Sequence, residues 1–231
     1  MKKQSGFTLI ELAIVLVIIG LLLGGVLKGQ ELINSAKTKQ LANDFNSVAA
    51  AVYGYQDRYK ALPGDDSGSA ARWAGTPYPA ADIGNANGFL DNAGAACLFT
   101  DPKGSPVTDE CYIFWTGLRQ AGLVTGALTD GPPGNNFGGV LGVQNALDAL
   151  TTAGAAGTGF KGIIACESNV PDKAAIALDT QLDDGKPDSG SIRAILQATP
   201  TTAVTVLNGV AASTPYLETG GNYYTVCKAL Q

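Results

Sequence analysis

The chain has 231 residues, of which 45% are hydrophobic and 15% charged, and a formal net charge of −5. That length supports one membrane or signal segment and one globular domain of about 170 residues. Residues 61–231 hold 16 of the 20 acids but only 8 of the 15 bases, so this part repels phosphate backbones and is not expected to bind nucleic acid. The chain has no histidine, the commonest general base and zinc nitrogen ligand, and we expect no enzymatic activity.

The first 27 residues combine a short basic head with a long apolar run. The run from Phe7 to Leu27 has 21 residues, enough for a helix of about 30 Å, which is the thickness of the hydrocarbon core of a bilayer. Glu11 is the only ionisable side chain in it. An acid costs about 2.5 to 3.5 kcal/mol at the membrane centre, so we predict a functional role and a partner for Glu11. The alternative is a side chain that snorkels to the interface.

The order of these features differs from that of an ordinary secretory signal. There, the small-residue cleavage site follows the apolar core. Here the small residue Gly6 precedes the core, so cleavage after it would leave the hydrophobic helix on the mature chain. The two lysines before the run predict that the N-terminus stays in the cytoplasm.

The heptapeptide GFTLIEL at residues 6–12, with the apolar run after it, resembles the class III signal of type IV pilins and of the pseudopilins of type II secretion systems. The resemblance implies that a prepilin peptidase cuts between Gly6 and Phe7 and methylates the new α-amino group of Phe7. It also implies that Glu11 pairs with the N-terminal ammonium of a neighbouring subunit. Such a pair is favourable in a low dielectric and would set the axial register of the subunits.

The same resemblance implies the partners and the location of the chain. It implies a precursor in the bacterial inner membrane, an inner-membrane assembly platform, and a homo-oligomeric helical filament formed through the N-terminal helices. The filament is expected outside the cell, or in the periplasm as a pseudopilus. We therefore expect a structural pilus subunit. The alternatives are a secretion pseudopilin, a minor pilin with a tip or adhesive role, and a membrane-anchored periplasmic binding domain that never polymerises.

The helical pattern continues well beyond the apolar run. No proline occurs before Pro63, and six apolar residues follow one another at steps of four, three, four, three and four. They are Leu41, Phe45, Val48, Val52, Tyr55 and Tyr59. This predicts one helix over residues 7–59, apolar all round in its first half and amphipathic in its second. Many relatives have a helix-bending proline where this chain has Lys28. Glycines 20, 24, 25 and 29 lie nearby and indicate either local unwinding or close helix packing.

These patterns divide the chain into a leader (1–6), a transmembrane or filament-core helix (7–27), its amphipathic half (28–60) and an extracytoplasmic headpiece (61–231). The resemblance implies an α+β, pilin-like fold, with the long helix packed on a small antiparallel sheet carrying loop-rich insertions. In the headpiece we predict helices over 111–122 and 173–182 and strands over 159–166 and 223–227. Trp115, Leu118 and Leu123 are predicted to be core residues.

The four cysteines predict disulfides. Cys97, Cys111, Cys166 and Cys227 are too far apart for a CxxC site, and an even number beyond an export signal indicates an oxidising compartment. Three connectivities are possible, and we favour Cys97 with Cys111 and Cys166 with Cys227. Four reduced, buried cysteines are the alternative.

Two acidic loops raise the question of a structural calcium ion, the one cofactor that we consider. Asp82, Asn85, Asn87 and Asp91 surround a glycine turn, but their spacing does not fit an EF-type loop, and turns formed by Asx side chains explain them more simply. Asp183, Asp184 and Asp188 form the second loop, which the resemblance favours because some secretion pseudopilins bind calcium in a C-terminal loop. The adjacent acids at 65–66 and 109–110 are expected to face water rather than form a catalytic pair.

Overall fold

The computed structural model describes residues 8–92, 95–100, 109–152, 155–199, 202–204 and 207–230. The dominant element is helix α1, which runs without interruption over Leu9–Tyr59. It includes all four glycines between residues 20 and 29, so the single chain has no helix break there, and unwinding when subunits pack stays a prediction. Lys60 has a left-handed backbone (φ 54°), and Pro63 follows soon after, which ends the helix where the sequence predicts.

The remaining elements form the headpiece. Three helices accompany six strands in the part of the chain that is described. In chain order they are α2 (Ser69–Arg72), β1 (Asp91–Asn92), β2 (Ala95–Ala96), α3 (Glu110–Gln120), β3 (Leu141–Ala149), β4 (Phe160–Pro171), α4 (Asp172–Leu182), β5 (Ile192–Leu196) and β6 (Tyr223–Ala229). Strands β1 and β2 pair with each other as a small hairpin.

The main sheet has four antiparallel strands in the order β3-β4-β6-β5. Strands β4 and β6 are its centre, and their register places Cys166 opposite Cys227. The pairing of β4 with β6 shifts between Glu167 and Val170, where Asn169 has a left-handed backbone. A long N-terminal helix with a small antiparallel sheet confirms the α+β, pilin-like fold class.

Two hydrophobic clusters cover the two faces of this sheet. The first joins the amphipathic half of α1 to the strands, because Leu41 and Phe45 cluster with Val143 and Ile163. The second lies on the other face and contains Phe160, Ile164 and the Cys166–Cys227 disulfide. The stripe predicted on α1 is confirmed: its first five residues are buried, and Tyr59 is partly buried against the same cluster.

The two predicted headpiece helices are present, and both ends of α3 have identifiable caps. Helix α3 begins after Asp109, whose side chain accepts from Cys111 N and Tyr112 N. It ends at a Schellman motif, in which Leu123 N donates to Leu118 O (2.9 Å) and Gly122, with φ 71°, supplies the left-handed residue. Helix α4 ends where Asp183 N donates to Asp179 O. Trp115 and Leu118 are buried core residues, whereas Leu123 is only partly buried.

The chain contains both disulfides that the cysteine spacing favoured, Cys97–Cys111 and Cys166–Cys227. It divides into two compact units, residues 1–37 and 38–231. The second unit therefore includes α1 from Thr38 onward together with the sheet. All the buried residues of α1 lie in this second unit, and the first of them is Thr38.

Candidate assembly site on the N-terminal helix

The start of α1 is organised by Thr8 and Glu11. Oε2 of Glu11 accepts hydrogen bonds from Thr8 N and from Thr8 Oγ1, both at 2.8 Å. In return, Glu11 N donates to Thr8 Oγ1 at 3.4 Å. This is a capping box, with Thr8 at the N-cap and Glu11 three residues later, and it satisfies backbone donors that a helix start leaves unpaired.

The capping box supplies Glu11 with a partner, Thr8, that the sequence analysis did not predict. The Thr-x-x-Glu spacing is itself a helix-start signature. The box occupies one carboxylate oxygen, and an ionised carboxylate has two oxygens with about four acceptor positions. Glu11 can therefore cap its own helix and accept from a second donor at the same time.

The apolar half of α1 exposes nearly all of its large side chains within its own unit. Leu9 is 89% exposed and Leu16 69%, and the other large apolar residues up to Leu27 range from 45% to 73%. The helix is long and apolar enough to cross a membrane by length and composition. Full burial of one such side chain contributes about 1.5 to 3 kcal/mol relative to water, so this surface strongly favours lipid or a protein partner.

The apolar run ends at an ion pair. Nζ of Lys28 lies 2.7 Å from Oε2 of Glu31, and both side chains are about two-thirds exposed. An exposed pair of this kind contributes at most about 1 kcal/mol. The pair thus marks a polar boundary of the helix and adds little stability.

The four glycines of this segment do not pack closely against the described part of the chain. At each of glycines 20, 24, 25 and 29, an added Cβ would meet no described atom within 4 Å.

The two residues predicted to flank the cleavage site, Gly6 and Phe7, lie outside the described residues. The first described residue after them is Thr8, the N-cap. Within the described residues, α1 begins at Leu9, the residue after Thr8. Processing and methylation at this position stay predictions.

In the headpiece, the loop of residues 82–91 forms turns of the Asx type. Oδ1 of Asn85 accepts from Asn87 N (2.9 Å), and Oδ1 of Asn87 accepts from Phe89 N (2.8 Å). Nδ2 of Asn87 donates to Oδ2 of Asp91 (2.6 Å). The carbonyl of Asp82 accepts from Ser69 Oγ (3.2 Å). The amide oxygens that calcium would need are thus engaged within the loop.

Two acids that the sequence did not connect with this loop hold it in place. Asp65 accepts from Asn87 N (3.0 Å) and Gly88 N (2.7 Å), and Glu110 accepts from Asn85 N and Asp91 N, both at 2.9 Å. Burial is the main cause that raises the pKa of Glu110 to about 7, although the two backbone donors oppose it. Asp65 and Glu110 lie 22 and 25 residues from their loop partners, so no local sequence pattern could reveal them.

The predicted exposure of the adjacent acids is wrong. Asp65, Asp66, Asp109 and Glu110 are all buried. Oδ2 of Asp66 accepts from the hydroxyl of Tyr55 (2.7 Å) and forms an ion pair with Arg72, and Asp109 caps α3. Burial is tolerated because each carboxylate accepts donors from the fold. These contacts join Asp66 to α1 and α2, and Asp109 to the start of α3.

The second acidic loop brings together a set different from the predicted one. Carboxylate oxygens of Asp179, Asp183 and Asp184 lie within 4.8 Å of one another, and Asp188 is not in this group. Asp179 is fully buried, and its carboxylate accepts from Gly185 N (3.0 Å) and from the hydroxyl of Tyr216 (2.7 Å). Burial raises the pKa of Asp179 to about 6.

The other two acids of this group cap the loop. Oδ2 of Asp183 accepts from Ile192 N (2.9 Å) and from Ser191 N, and Asp184 accepts from Lys186 N (3.0 Å) and Ser189 Oγ (2.6 Å). The Ser189 hydrogen bond is the main cause that lowers the pKa of Asp184. Three carboxylates fit part of a calcium shell, which takes six to eight oxygens. Their existing donors also allow the loop to close without an ion.

Comparison with known proteins identifies the N-terminal segment. Residues 1–27 match the family model described as the prokaryotic N-terminal methylation motif, which is the class III signal of type IV pilins and pseudopilins. The chain thus carries the signal of a pilin-type or pseudopilin-type precursor, as the heptapeptide at residues 6–12 predicted. No curated protein matches the chain significantly.

Proposed function

We propose that the chain is the structural subunit of a type IV pilus or a pilus-like filament. It is inserted in the inner membrane, cut by prepilin peptidase after Gly6, methylated at Phe7 and polymerised through the Phe7 to Leu27 helix. The methylation-motif match at residues 1–27 carries this proposal. The unbroken α1 and its exposed apolar half support it, because they supply the membrane span and the filament contact in one element.

The chemistry of Glu11 explains how subunits select one another. Cleavage after Gly6 creates an ammonium group in an apolar environment, where an isolated charge is costly. The carboxylate of Glu11 is the one acid among residues 7–27 and can accept from that ammonium on a neighbouring copy while its Oε2 caps the helix. A misplaced axial step would leave both charges unmatched, which favours a single register.

Mass spectrometry of the mature chain, combined with electron microscopy of the sheared surface fraction, tests this proposal. We expect an N-terminal methyl-Phe7 and filaments that contain the chain. An unprocessed chain that begins at Met1, or a chain cleaved beyond Leu27, would exclude it. Processed chain without filaments would point to a membrane-anchored domain that does not polymerise.

The abundance of the chain separates the kinds of filament subunit. A major pilin dominates the sheared fraction, whereas a minor pilin with a tip or adhesive role is scarce there. A secretion pseudopilin is retained in the periplasm. The acidic headpiece favours none of these over the others, but it argues against a tip that binds DNA.

A structural calcium ion in the headpiece is a separate proposal. The convergence of Asp179, Asp183 and Asp184 supports it, since a bound divalent cation would offset the repulsion among three carboxylates at this spacing. Thermal unfolding of the full chain in detergent, with and without calcium, tests it. We expect calcium to raise the Tm of the wild type and of Glu218→Gln, an exposed control, but not that of Asp184→Asn. An equal response of all three proteins excludes this site.

A further inference from the structure

Glu167 is a buried acid on the sheet face that packs against α1. It lies on the same face of β4 as Ile163 and Ala165, which belong to the cluster that contains Leu41 and Phe45 of α1. The side chain of Glu167 is 0% exposed. A carboxyl group in such an apolar interface is costly to ionise.

Neither carboxylate oxygen of Glu167 has a hydrogen-bond partner among the described residues. Asn135 is close enough to favour the ionised form of Glu167 weakly. However, Nδ2 of Asn135 donates to Ser168 O (2.8 Å), and its Oδ1 accepts from Phe137 N (3.0 Å) and Gly139 N (2.9 Å). Oδ1 of Asn135 is therefore engaged by the turn that precedes β3, and one of its two Nδ2 hydrogens is engaged by Ser168 O. This distinguishes Glu167 from Asp65 and Glu110, whose oxygens accept backbone donors.

Among the described residues, the charged groups around Glu167 give it no counterion. From α1, Asp44 faces it and repels its ionised form. From β6, Lys228 shares the face of Val226, the cross-strand partner of Glu167, but its Nζ donates to Oδ1 of Asn46 (3.1 Å). From β3, the opposing residue is Leu141. Strand β5 presents Ile192, Ala194 and Leu196 on this face, none of which is ionisable.

We propose that Glu167 is a proton-operated latch between α1 and the sheet. Its carboxyl group is neutral while the helix is packed on the strands, and loss of the proton weakens that packing. Burial first, and then repulsion by Asp44, raise the pKa of Glu167 well above its ordinary value. The latch goes beyond the filament role, because it makes the attachment of the sheet to its own helix depend on the pH of the surrounding compartment.

The direction of the pH effect follows from linkage. Because the folded-state pKa is raised, the folded chain binds a proton that the unfolded chain releases above about pH 4.5. The stability that Glu167 contributes is complete below that pH and is lost as the pH rises toward the folded pKa. A Gln at this position is neutral at every pH and cannot lose a proton.

Thermal unfolding of the full-length chain in detergent micelles between pH 5 and pH 8 tests the latch, with near-ultraviolet circular dichroism of the buried Trp115 as the signal. The Tm of Glu167→Gln minus that of the wild type should increase by about 3 to 5 °C for each pH unit. The corresponding difference between Asp44→Asn and the wild type should increase less with pH, because this change removes only the repulsion between Asp44 and Glu167. The exposed control Glu218→Gln should follow the wild type at all pH values. Parallel curves for Glu167→Gln and the wild type would overturn the proposal.

Infrared spectroscopy provides a second measurement that does not depend on the stability of the variant. Glu110, with its pKa of about 7, also contributes to the carbonyl stretch of protonated carboxyl groups at neutral pH. This stretch should therefore be weaker in Glu167→Gln than in the wild type, and unchanged in Glu218→Gln. An identical carbonyl region in the wild type and Glu167→Gln means that Glu167 is ionised in the folded chain, and it overturns the latch.

Discussion

The two halves of α1 have nearly the same helical geometry but opposite relations to their surroundings. From Leu9 to Leu27, the large apolar side chains are exposed within the chain, whereas the stripe from Leu41 to Tyr55 is buried against the sheet. The second half buries its apolar stripe against the sheet of the headpiece. The first half keeps its apolar side chains exposed, so its hydrophobic surface is available for lipid or for other copies. One helix thus carries an intramolecular core and the surface that we propose to pack between subunits, and mutations in the two halves should separate folding from assembly.

The largest expected effect is on assembly alone. Glu11→Val removes the acid that we propose to pair between subunits, and loss of one partner of a buried pair costs about 3 to 5 kcal/mol. We expect the amount of filament in the sheared fraction to fall more than a hundredfold. Methyl-Phe7 should still be detected by mass spectrometry, because processing precedes assembly.

Glu31→Val is the matched control, since Glu31 is an exposed acid on the same helix, where it pairs with Lys28. It should assemble at the wild-type level. Normal filaments from Glu11→Val would remove the charge-pair proposal. Failure of Glu31→Val as well would show that loss of an acid from either half of α1 impairs assembly.

The next largest effect is on the headpiece alone. Cys166 and Cys227 close a loop with a sequence separation of 61, against 14 for Cys97 and Cys111. In the chain-entropy model, the longer loop contributes about 4 kcal/mol and the shorter about 3 kcal/mol. Denaturant titrations of Cys166→Ala/Cys227→Ala and Cys97→Ala/Cys111→Ala should give losses in that order. A larger loss for the shorter loop would mean that packing around the sulfur atoms outweighs the loop entropy.

A pair of leucines compares the two halves directly. Leu41→Ala creates a cavity under the sheet and should lower the free energy of unfolding of the headpiece by about 2 to 5 kcal/mol. Leu16→Ala changes a side chain that is 69% exposed and should alter that free energy by less than about 0.5 kcal/mol.

The same two variants should differ in the opposite direction when filament yield is measured at a temperature where both are folded. Leu16→Ala should reduce the yield more than Leu41→Ala. Equal effects of the two variants on headpiece unfolding would contradict the division of α1.

The second half of α1 could be predicted from the sequence because its burial is periodic, so that Leu41 and Phe45 announce one face of a helix. Strand β3 could not. Most of its residues are buried, including the polar Gln144, so its sequence lacks the polar and apolar alternation of a half-exposed strand. Strand β5 has five residues, too few to show a clear apolar periodicity, so the sequence did not predict it.

The candidate site was predictable to a comparable degree. Glu11 stood out because a charge in an apolar run is rare, yet its actual hydrogen-bond partner, Thr8, is an uncharged residue of the same turn. Asp179 was missed beside Asp183 and Asp184 because it lies within helix α4, in a segment that shows only a helical pattern. Contacts within one helical turn can be predicted from the spacing of residues in the sequence. Contacts such as that of Asp65 with Gly88 depend on the tertiary fold and cannot.

The smallest effect expected is on a single cap in the headpiece. Oδ1 of Asp109 accepts from Cys111 N (3.0 Å) and Tyr112 N (3.3 Å) at the start of α3, where Tyr112 N also donates to the Asp109 carbonyl (3.1 Å). Asp109→Ala should cost about 1 kcal/mol, a decrease in Tm of about 2 to 4 °C, whereas Asp109→Asn keeps an acceptor and should lose less. Because α3 belongs to the headpiece, filament yield below the Tm should be unchanged. If Asp109→Ala reduced filament yield as strongly as Glu11→Val, folding and assembly would not be separable in this chain.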